Sequence, residues 1–253
     1  MRVATVEQLL DVLDGLFADG PDLTRRQAID PWEQIFTRPD HPFNSDLPDV
    51  NLLDWREAGL LPGGEGLTAM DIGCGLGRNT RWLARQGDRA TGVDISAFAN
   101  TQARNRTAET DATFLESDFL REAVPRGPFD LVYDSGCFHH LPPHRGLSCL
   151  WALRACLKPG GLFGICTFAA GKMGSDADDL TLFKQSRLAE GLGYGADELK
   201  AIFPIWKCWR VARCAHFKVR PNPPSRWIFS APLCFAAHSS GFSISQGRPY
   251  GPG

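Results

Sequence analysis

Residues 70–77, MDIGCGLG, are the most informative segment for the fold, because their glycines join the end of an apolar strand to the start of a helix. Residues 67–73 predict the strand, and residues 79–87 predict the helix, which Gly87 ends. Glycines at such a junction let the backbone approach a ligand closely. Ligands of open α/β sheets bind at the carboxyl ends of the strands. The stretch therefore predicts an α/β fold with a ligand site at this glycine loop.

Apolar runs and amphipathic stretches alternate on both sides of the loop. Further strands are predicted over 89–95, 112–118, 129–135 and 162–170, and helices over 96–109, 144–157, about 180–190 and 196–203. Two late strands, about 207–215 and 226–235, are expected to close the sheet, the last one antiparallel. The alternation predicts a Rossmann-like, seven-stranded, mainly parallel sheet with right-handed crossovers.

The chain divides into three parts by its pattern. Residues 1–66 predict an N-terminal helical lid, residues 67–235 a ligand-binding core, and the Gly/Ser-rich residues 236–253 a flexible tail. The lid segment is rich in proline and in aromatic residues. Of these, Trp32, Phe36 and Trp55 are candidates for lining the lid, with core packing as the alternative.

Composition narrows the class of protein. The 253 residues carry a net charge of −2 and are 43% hydrophobic, which is typical of a globular protein. No apolar run approaches a membrane span, and the eight cysteines lack a C-x-x-C pair, so we expect a cytoplasmic protein with unpaired thiols. Beyond Glu198 the chain has eight Lys or Arg and no acid. This basic stretch is either a solvated edge or a site for an acidic substrate.

The acids near the loop point to one cofactor. A dinucleotide fingerprint requires G-x-G-x-x-G or A, and Arg78 occupies its last position. Asp71, just before the first glycine, would repel a pyrophosphate but suits a cationic amino group. Asp94 ends the second strand, where a carboxylate accepts ribose hydroxyls, and Asp118 ends the third, where an acceptor can take the adenine amino group. These acids predict S-adenosylmethionine.

The motifs resemble those of class I S-adenosylmethionine-dependent methyltransferases, on MDIGCGLGRN, VDIS, ESDF and LKPGG. A narrower resemblance is to bacterial small-molecule methyltransferases of the thiopurine and tellurite types. It rests on PWEQIF, PDHPF, NLLDW, YDSGCFHHLPPHR and LAEGLGY. The resemblance covers about residues 30–235 and implies the following contacts: Asp71, Gly73 and Gly75 at the methionine end, Asp94 and Ile95 at the ribose, Asp118 and Phe119 at the adenine, and Asp134 and Ser135 beside the sulfonium.

The segment after the fourth strand holds the candidate catalytic groups. The family places residues that face the methyl group there, so His139, His140 and His144 are the candidate bases, with His139 preferred. For His140 the alternative is packing with a hydrogen bond to backbone. Trp32, His139, His140 and Arg187 are the substrate-binding candidates, and for Arg187 the alternative is an ordinary ion pair. The spacing of Cys137 and the histidines does not match a zinc site, and we expect no metal.

The expected function is methyl transfer to an O, N, S or possibly C nucleophile of a small molecule such as a natural product. An Asn/Asp-Pro-Pro-aromatic motif is missing after strand four, where residues 134–137 read DSGC, so we expect no nucleic-acid substrate. No membrane partner is expected, and the sequence indicates no oligomeric state. The alternatives are a non-catalytic S-adenosylmethionine-binding scaffold and a nicotinamide-dependent oxidoreductase.

Overall fold

The computed structural model describes residues 2–17, 29–39, 41–61, 66–107, 110–125, 127–188, 191–204, 206–213 and 233–239. The helices are α1 (Val6–Asp14), α2 (Ile29–Phe36), α3 (Val50–Glu57), α4 (Arg78–Arg85), α5 (Ala97–Asn105), α6 (Pro143–Cys156), α7 (Asp179–Gln185) and α8 (Ala196–Ile202). The strands are β1 (Thr68–Ile72), β2 (Arg89–Asp94), β3 (Thr113–Glu116), β4 (Phe129–Ser135), β5 (Leu157–Ala169), β6 (Gly193–Tyr194), β7 (Trp206–Arg213) and β8 (Leu233–Ser239).

The strands form one sheet in the order β3-β2-β1-β4-β5-β8-β7, and the short β6 pairs with β5. Neighbours from β3 to β5 run parallel, whereas β8 is antiparallel to both β5 and β7. Chain order reverses between β1 and β4, which opens a crevice at their carboxyl ends. The prediction of a Rossmann-like, mainly parallel sheet is confirmed, and the glycine loop lies at that crevice.

Several element boundaries differ from the predicted ones. β5 begins at Leu157 rather than 162, because the segment before residue 162 still pairs with β4 through a register shift. The helix α5 ends at Asn105, short of the predicted residue 109. The last strand, predicted over about 226–235, lies at Leu233–Ser239, where it pairs on both sides. The strand thus extends past the predicted end of the core at residue 235, and residues 240–253 of the predicted tail lie outside the described residues.

The two faces of the sheet pack against different helices. On one face, Met70 and Phe163 pack with residues of α6 and α8. On the other face, Tyr133 and Leu83 pack with Trp55 of α3, whose ring meets Tyr133 edge-on at 6.0 Å. Core packing is therefore the correct alternative for Trp55. α3 belongs to the core even though it lies within the segment predicted as a lid.

The first helix is held in an unexpected orientation. The sequence predicts an apolar face for α1, yet Val6 and Leu9 are 56% and 45% exposed, while Leu10 is buried. The helix faces α6 with its acidic side instead, where Glu7, Asp11 and Asp14 bind Arg145. Within the described parts of the chain, no helix has the length and apolarity that a membrane crossing requires.

Candidate functional site

The glycine loop adopts a backbone that side chains would obstruct. Gly73, Gly75 and Gly77 all have positive φ angles of 60°, 52° and 77°. A Cβ at Gly73 would lie 2.9 Å from the Cβ of Cys137, and one at Gly75 would lie 3.2 Å from the ring of Phe36. The loop leads into α4, and Phe36 of α2 covers it at Gly75.

Asp94 connects the end of β2 to the glycine loop. One carboxylate oxygen accepts the N–H of Gly75 at 2.9 Å, and the other accepts the N–H of Ser96, also at 2.9 Å. Burial raises the pKa of Asp94, whereas these hydrogen bonds act in the opposite direction. Ile95, the next residue, is 36% exposed. The carboxylate is therefore held in one orientation at the strand end, beside the glycine loop.

Asp71 lies beneath the loop and is almost fully buried. Its Oδ2 accepts the hydroxyl of Thr80 at 2.7 Å and the Thr80 N–H at 3.1 Å, in the first turn of α4. Its Oδ1 is buried and receives no hydrogen bond from the described residues. Burial raises the pKa of Asp71 to about 7. A buried carboxyl with one unsatisfied oxygen is a group that a cationic ligand would stabilise.

Asp134 organises the turn that follows β4. Its carboxylate accepts the N–H groups of Gly136 at 2.9 Å, Cys137 at 2.7 Å and Phe138 at 3.0 Å. Burial raises its pKa to about 7, against the effect of these three donors. The carboxylate is thus directed into its own turn, where it sets the path of the chain into the two histidines.

The predicted adenine end is less buried than the other strand ends. β3 stops at Glu116, so Asp118 lies two residues beyond the strand that was expected to end there. One of its carboxylate oxygens accepts the N–H of Leu120 at 3.1 Å, and Phe119 is 6% exposed. Asp118 therefore caps a turn at the carboxyl edge of the sheet, with an apolar ring next to it.

The histidines form an aromatic cluster with α2 and β5. His139 is 5% exposed and stacks on Phe168 with ring centroids 3.7 Å apart. His140 is half-buried, and its ring meets Trp32 of α2 at 4.8 Å. Burial, and then the neighbouring His140, hold the pKa of His139 well below its ordinary value. The structure therefore brings together three of the four predicted substrate-binding residues.

The remaining histidine and arginine candidates lie elsewhere. His144 is buried on α6, where its Nε2 lies 2.8 Å from a carboxylate oxygen of Asp14. Arg187 is exposed in the turn after α7, and among the described residues it shares no hydrogen bond or ion pair with the other candidates. Neither residue joins the aromatic cluster.

Asp49 is the residue that the sequence analysis missed. It occupies the N-cap position of α3, yet its side chain makes no capping bond. Its carboxylate instead accepts the hydroxyl of Tyr133 at 2.8 Å, binds the hydroxyl of Ser135 and pairs with Arg78. An acid before an apolar helix has the signature of a cap, so only the folded chain identifies Asp49 as the link between α3 and the strand ends.

Comparison with known proteins gives one consistent result. Residues 69–161 match a family described as "Methyltransferase domain". An uncharacterized methyltransferase of Mycobacterium tuberculosis (strain ATCC 25618 / H37Rv) is 31% identical over 129 residues, 51% of this chain and 62% of that protein. Sterol 24-C-methyltransferase ERG6B of Gibberella zeae is 30% identical over 139 residues, 53% and 36% of the two chains. This chain thus spans less than two thirds of either relative.

Solved structures share the fold at low identity. N-methyltransferase NodS from Bradyrhizobium japonicum WM9, in complex with S-adenosyl-L-homocysteine, has a TM-score of 0.59 at 16% identity, covering 83% of this chain and 96% of that one. The 1,6-didemethyltoxoflavin-N1-methyltransferase of Burkholderia thailandensis has a TM-score of 0.56 at 18% identity, with coverages of 95% and 93%. These similarities extend the shared fold well beyond the matched domain.

Proposed function

We propose that this protein transfers the methyl group of S-adenosylmethionine to a small-molecule nucleophile, since residues 69–161 match a methyltransferase domain family. The observation that carries the proposal is the buried carboxyl of Asp71 beneath the glycine loop, with one oxygen that no described residue satisfies. A ligand with a cationic amino group and no phosphate would complement this site. When bound, S-adenosylmethionine supplies a methyl group that its sulfonium already activates.

We assign the cofactor contacts along the carboxyl edge of the sheet. Asp71, Gly73 and Gly75 would hold the methionine end, since the two glycines admit a close approach of the ligand. Asp94 would accept the ribose hydroxyls, with Ile95 beside them. Toward the adenine, the contacts would come from Asp118 and Phe119. Asp134 contributes through the turn that its carboxylate shapes, next to the expected position of the sulfonium.

The acceptor site is proposed beneath α2. Phe36 of this helix covers Gly75, and Trp32, one turn earlier, contacts His140. One face of α2 therefore reaches from the cofactor loop to the histidines, so that an acceptor held against Trp32 would lie beside the methyl group. Aromatic walls favour a flat or apolar acceptor. The toxoflavin-type methyltransferase, whose structure contains 1,6-didemethyltoxoflavin, has the same fold.

Cofactor identity is tested by calorimetry with S-adenosylmethionine, S-adenosylhomocysteine and NAD on the full chain. We expect the first two to bind and NAD to bind far more weakly, because acids line the loop. Asp94→Ala should weaken binding of S-adenosylhomocysteine by about 30-fold or more, since two hydroxyls lose a charged acceptor. Asp111→Ala, at an exposed acid, is the matched control. Preferential binding of NAD would overturn the proposal in favour of an oxidoreductase.

Methyl transfer itself is tested with labelled S-adenosylmethionine and a panel of small thiols, phenols, carboxylates, amines and heteroaromatic nitrogens. Label should appear in at least one class of acceptor. Tight cofactor binding with no transfer across the panel would instead support a non-catalytic scaffold. The class of acceptor that is labelled also indicates whether the reacting atom is O, N or S.

A further inference from the structure

Two adjacent histidines, His139 and His140, lie where the acceptor is expected, and they differ in burial and in the residues that they contact. Both follow β4 in the 3₁₀ turn Phe138–His140. His139 points into the protein and stacks on Phe168, whereas His140 is half-buried and contacts Trp32. Their rings are joined through Nε2 of one and Nε2 of the other at 3.1 Å. In a hydrogen bond between two histidine rings, one nitrogen must donate a proton and the other must accept it.

The main chain of β5 decides which ring donates. The backbone N–H of Phe168 points at Nδ1 of His139 at 3.3 Å, and a backbone N–H can only donate. Nδ1 of His139 is therefore the acceptor, so the neutral ring carries its proton on Nε2. That proton is directed at Nε2 of His140, which accepts it and must carry its own proton on Nδ1. Burial keeps His139 neutral by lowering its pKa.

The backbone around the pair fixes its position as well. The carbonyl of His139 accepts the N–H of Leu192 at 2.8 Å. At Gly191, where φ is 118°, a Cβ would lie 2.9 Å from that carbonyl and 3.1 Å from Nδ1 of His140. The segment before β6 therefore packs directly on the histidines. Together with the turn that Asp134 organises, these contacts hold the pair in place.

We propose that His139 is a positioning residue that fixes the tautomer and orientation of His140, and that His140 and Trp32 form the wall facing the acceptor. In this arrangement, neither ring offers a lone pair to an incoming proton. Nδ1 of His139 and Nε2 of His140 already accept bonds, and the other two nitrogens carry protons. The pair therefore orients the acceptor without deprotonating it, which differs from the base predicted from the sequence.

This role, which rests on the proposed function, points to a class of acceptor. A nucleophile that needs no base has its lone pair available at neutral pH. Such nucleophiles include heteroaromatic nitrogens, amines of low pKa, thiolates and carboxylates, whereas an alcohol or an ordinary phenol would need its proton removed. We therefore infer that the acceptor atom is a nitrogen, a thiolate sulfur or a carboxylate oxygen, carried by a molecule flat enough to lie against Trp32 and His140.

The tautomers can be read directly by nitrogen-15 NMR on the full-length protein with labelled histidine. We expect His139 to show a proton on Nε2 and His140 a proton on Nδ1, with His139 remaining neutral throughout the range about one pH unit either side of the ordinary histidine pKa. A proton on Nδ1 of His139, or a His139 that titrates at the ordinary histidine pKa, would overturn the inference. This readout needs no cofactor and no acceptor.

A variant shows whether His139 acts through its neighbour. His139→Phe keeps the stacking on Phe168 but removes the donor to His140. We expect the His140 resonances to change to a mixture of tautomers. His144→Phe, at a histidine that is equally buried and bound to Asp14, should leave the His140 tautomer unchanged. An unchanged His140 in His139→Phe would contradict the positioning role.

The kinetic readout uses whichever acceptor the labelled panel identifies. His140→Phe preserves an aromatic wall, so kcat should fall less than about 10-fold, whereas loss of a catalytic base costs 100-fold or more. His140→Ala should raise KM for the acceptor. A 100-fold loss of kcat in His140→Phe would restore the base role and overturn the inference. If no acceptor is methylated while the tautomers are as expected, the proposed function fails and the geometry of the pair stands.

Discussion

Two groups of charged residues contain fully buried members, and those buried members differ in whether they form ion pairs. In the first, which we call the α1 clamp, the fully buried Arg145 binds three acids of α1, namely Glu7, Asp11 and Asp14. In the second, Asp71 and Asp134 are each 1% exposed at neighbouring strand ends. Within the described residues, neither of these two acids forms an ion pair with a Lys, Arg or His.

The pKa values follow this difference. Burial acts to raise the pKa of Asp14, but the hydrogen bonds from His144 and Arg145 lower it overall. For Asp71 and Asp134, burial prevails and raises both pKa values to about 7. Charges that are matched inside the protein hold structure together, whereas unmatched ones cost stability unless a ligand compensates them. The contrast supports the proposed ligand site at the strand ends and indicates that the clamp has a structural role.

Breaking the clamp should have the largest effect. Arg145→Met removes the cation and leaves three carboxylates facing an apolar side chain, so we expect a loss of about 3 kcal/mol in unfolding free energy. Hydrogen exchange should show that the amides of α1 lose protection. Arg154→Met, at an exposed arginine on the same helix, is the control. If α1 keeps its protection in Arg145→Met, apolar packing through Leu10 holds the helix instead.

Neutralising Asp71 should increase the unfolding free energy, whereas breaking the clamp should decrease it. At about pH 8, Asp71→Asn should raise the unfolding free energy by about 2 kcal/mol, because a buried charge is removed. The folded-state pKa is raised, so wild type loses stability relative to the variant as pH increases from the unfolded pKa of about 4 to the folded one, and the difference then stays constant. Urea unfolding across this range measures it.

The same variant should bind S-adenosylhomocysteine more weakly, because its amino group loses a carboxylate. Asp111→Asn, at an exposed acid, should change neither stability nor binding. If Asp71→Asn is more stable than wild type but binds S-adenosylhomocysteine equally well, the charge of Asp71 has no part in ligand binding.

Asp134 provides a further test, because it is as buried as Asp71 but accepts a different set of hydrogen bonds. Asp134→Asn also removes a buried charge, but it places an N–H donor against one of the three backbone donors of the turn. We expect a net loss of about 1 kcal/mol in unfolding free energy. Urea unfolding under the conditions used for Asp71→Asn gives the comparison. Stabilisation by Asp134→Asn would show that charge alone governs both sites.

Salt should have the smallest effect. The acids of the clamp are partly exposed, and Arg121, which also pairs with them, is 41% exposed. At about 1 M salt the Debye length falls to about 3 Å, so amide exchange in α1 should accelerate several-fold, equivalent to less than about 1 kcal/mol. Exchange in β1, whose residues are buried, serves as the internal control. An equal acceleration in both elements would indicate a general effect of salt.

The predictability of these regions differs for physical reasons. The core strands and α4 could be predicted because glycine conformations and apolar periodicity are local properties. β4 was predicted at its observed bounds, 129–135. The orientation of α1 could not be predicted, because several of its apolar residues are exposed while Arg145, 131 to 138 positions later in the chain, binds its acids. Asp49 was missed because its partners come from α4 and β4.

The class of fold, the position of the glycine loop and the acids near the strand ends could be predicted from the sequence alone. Each of these depends on residue types at short spacing. Three features depend on contacts that form only in the folded protein. These are the hydrogen bonding of each acid, the burial of each histidine, and the backbone N–H that β5 donates to His139. Hydrogen bonds and burial are made between elements distant in sequence, and they set the pKa values and tautomers on which the proposed chemistry depends.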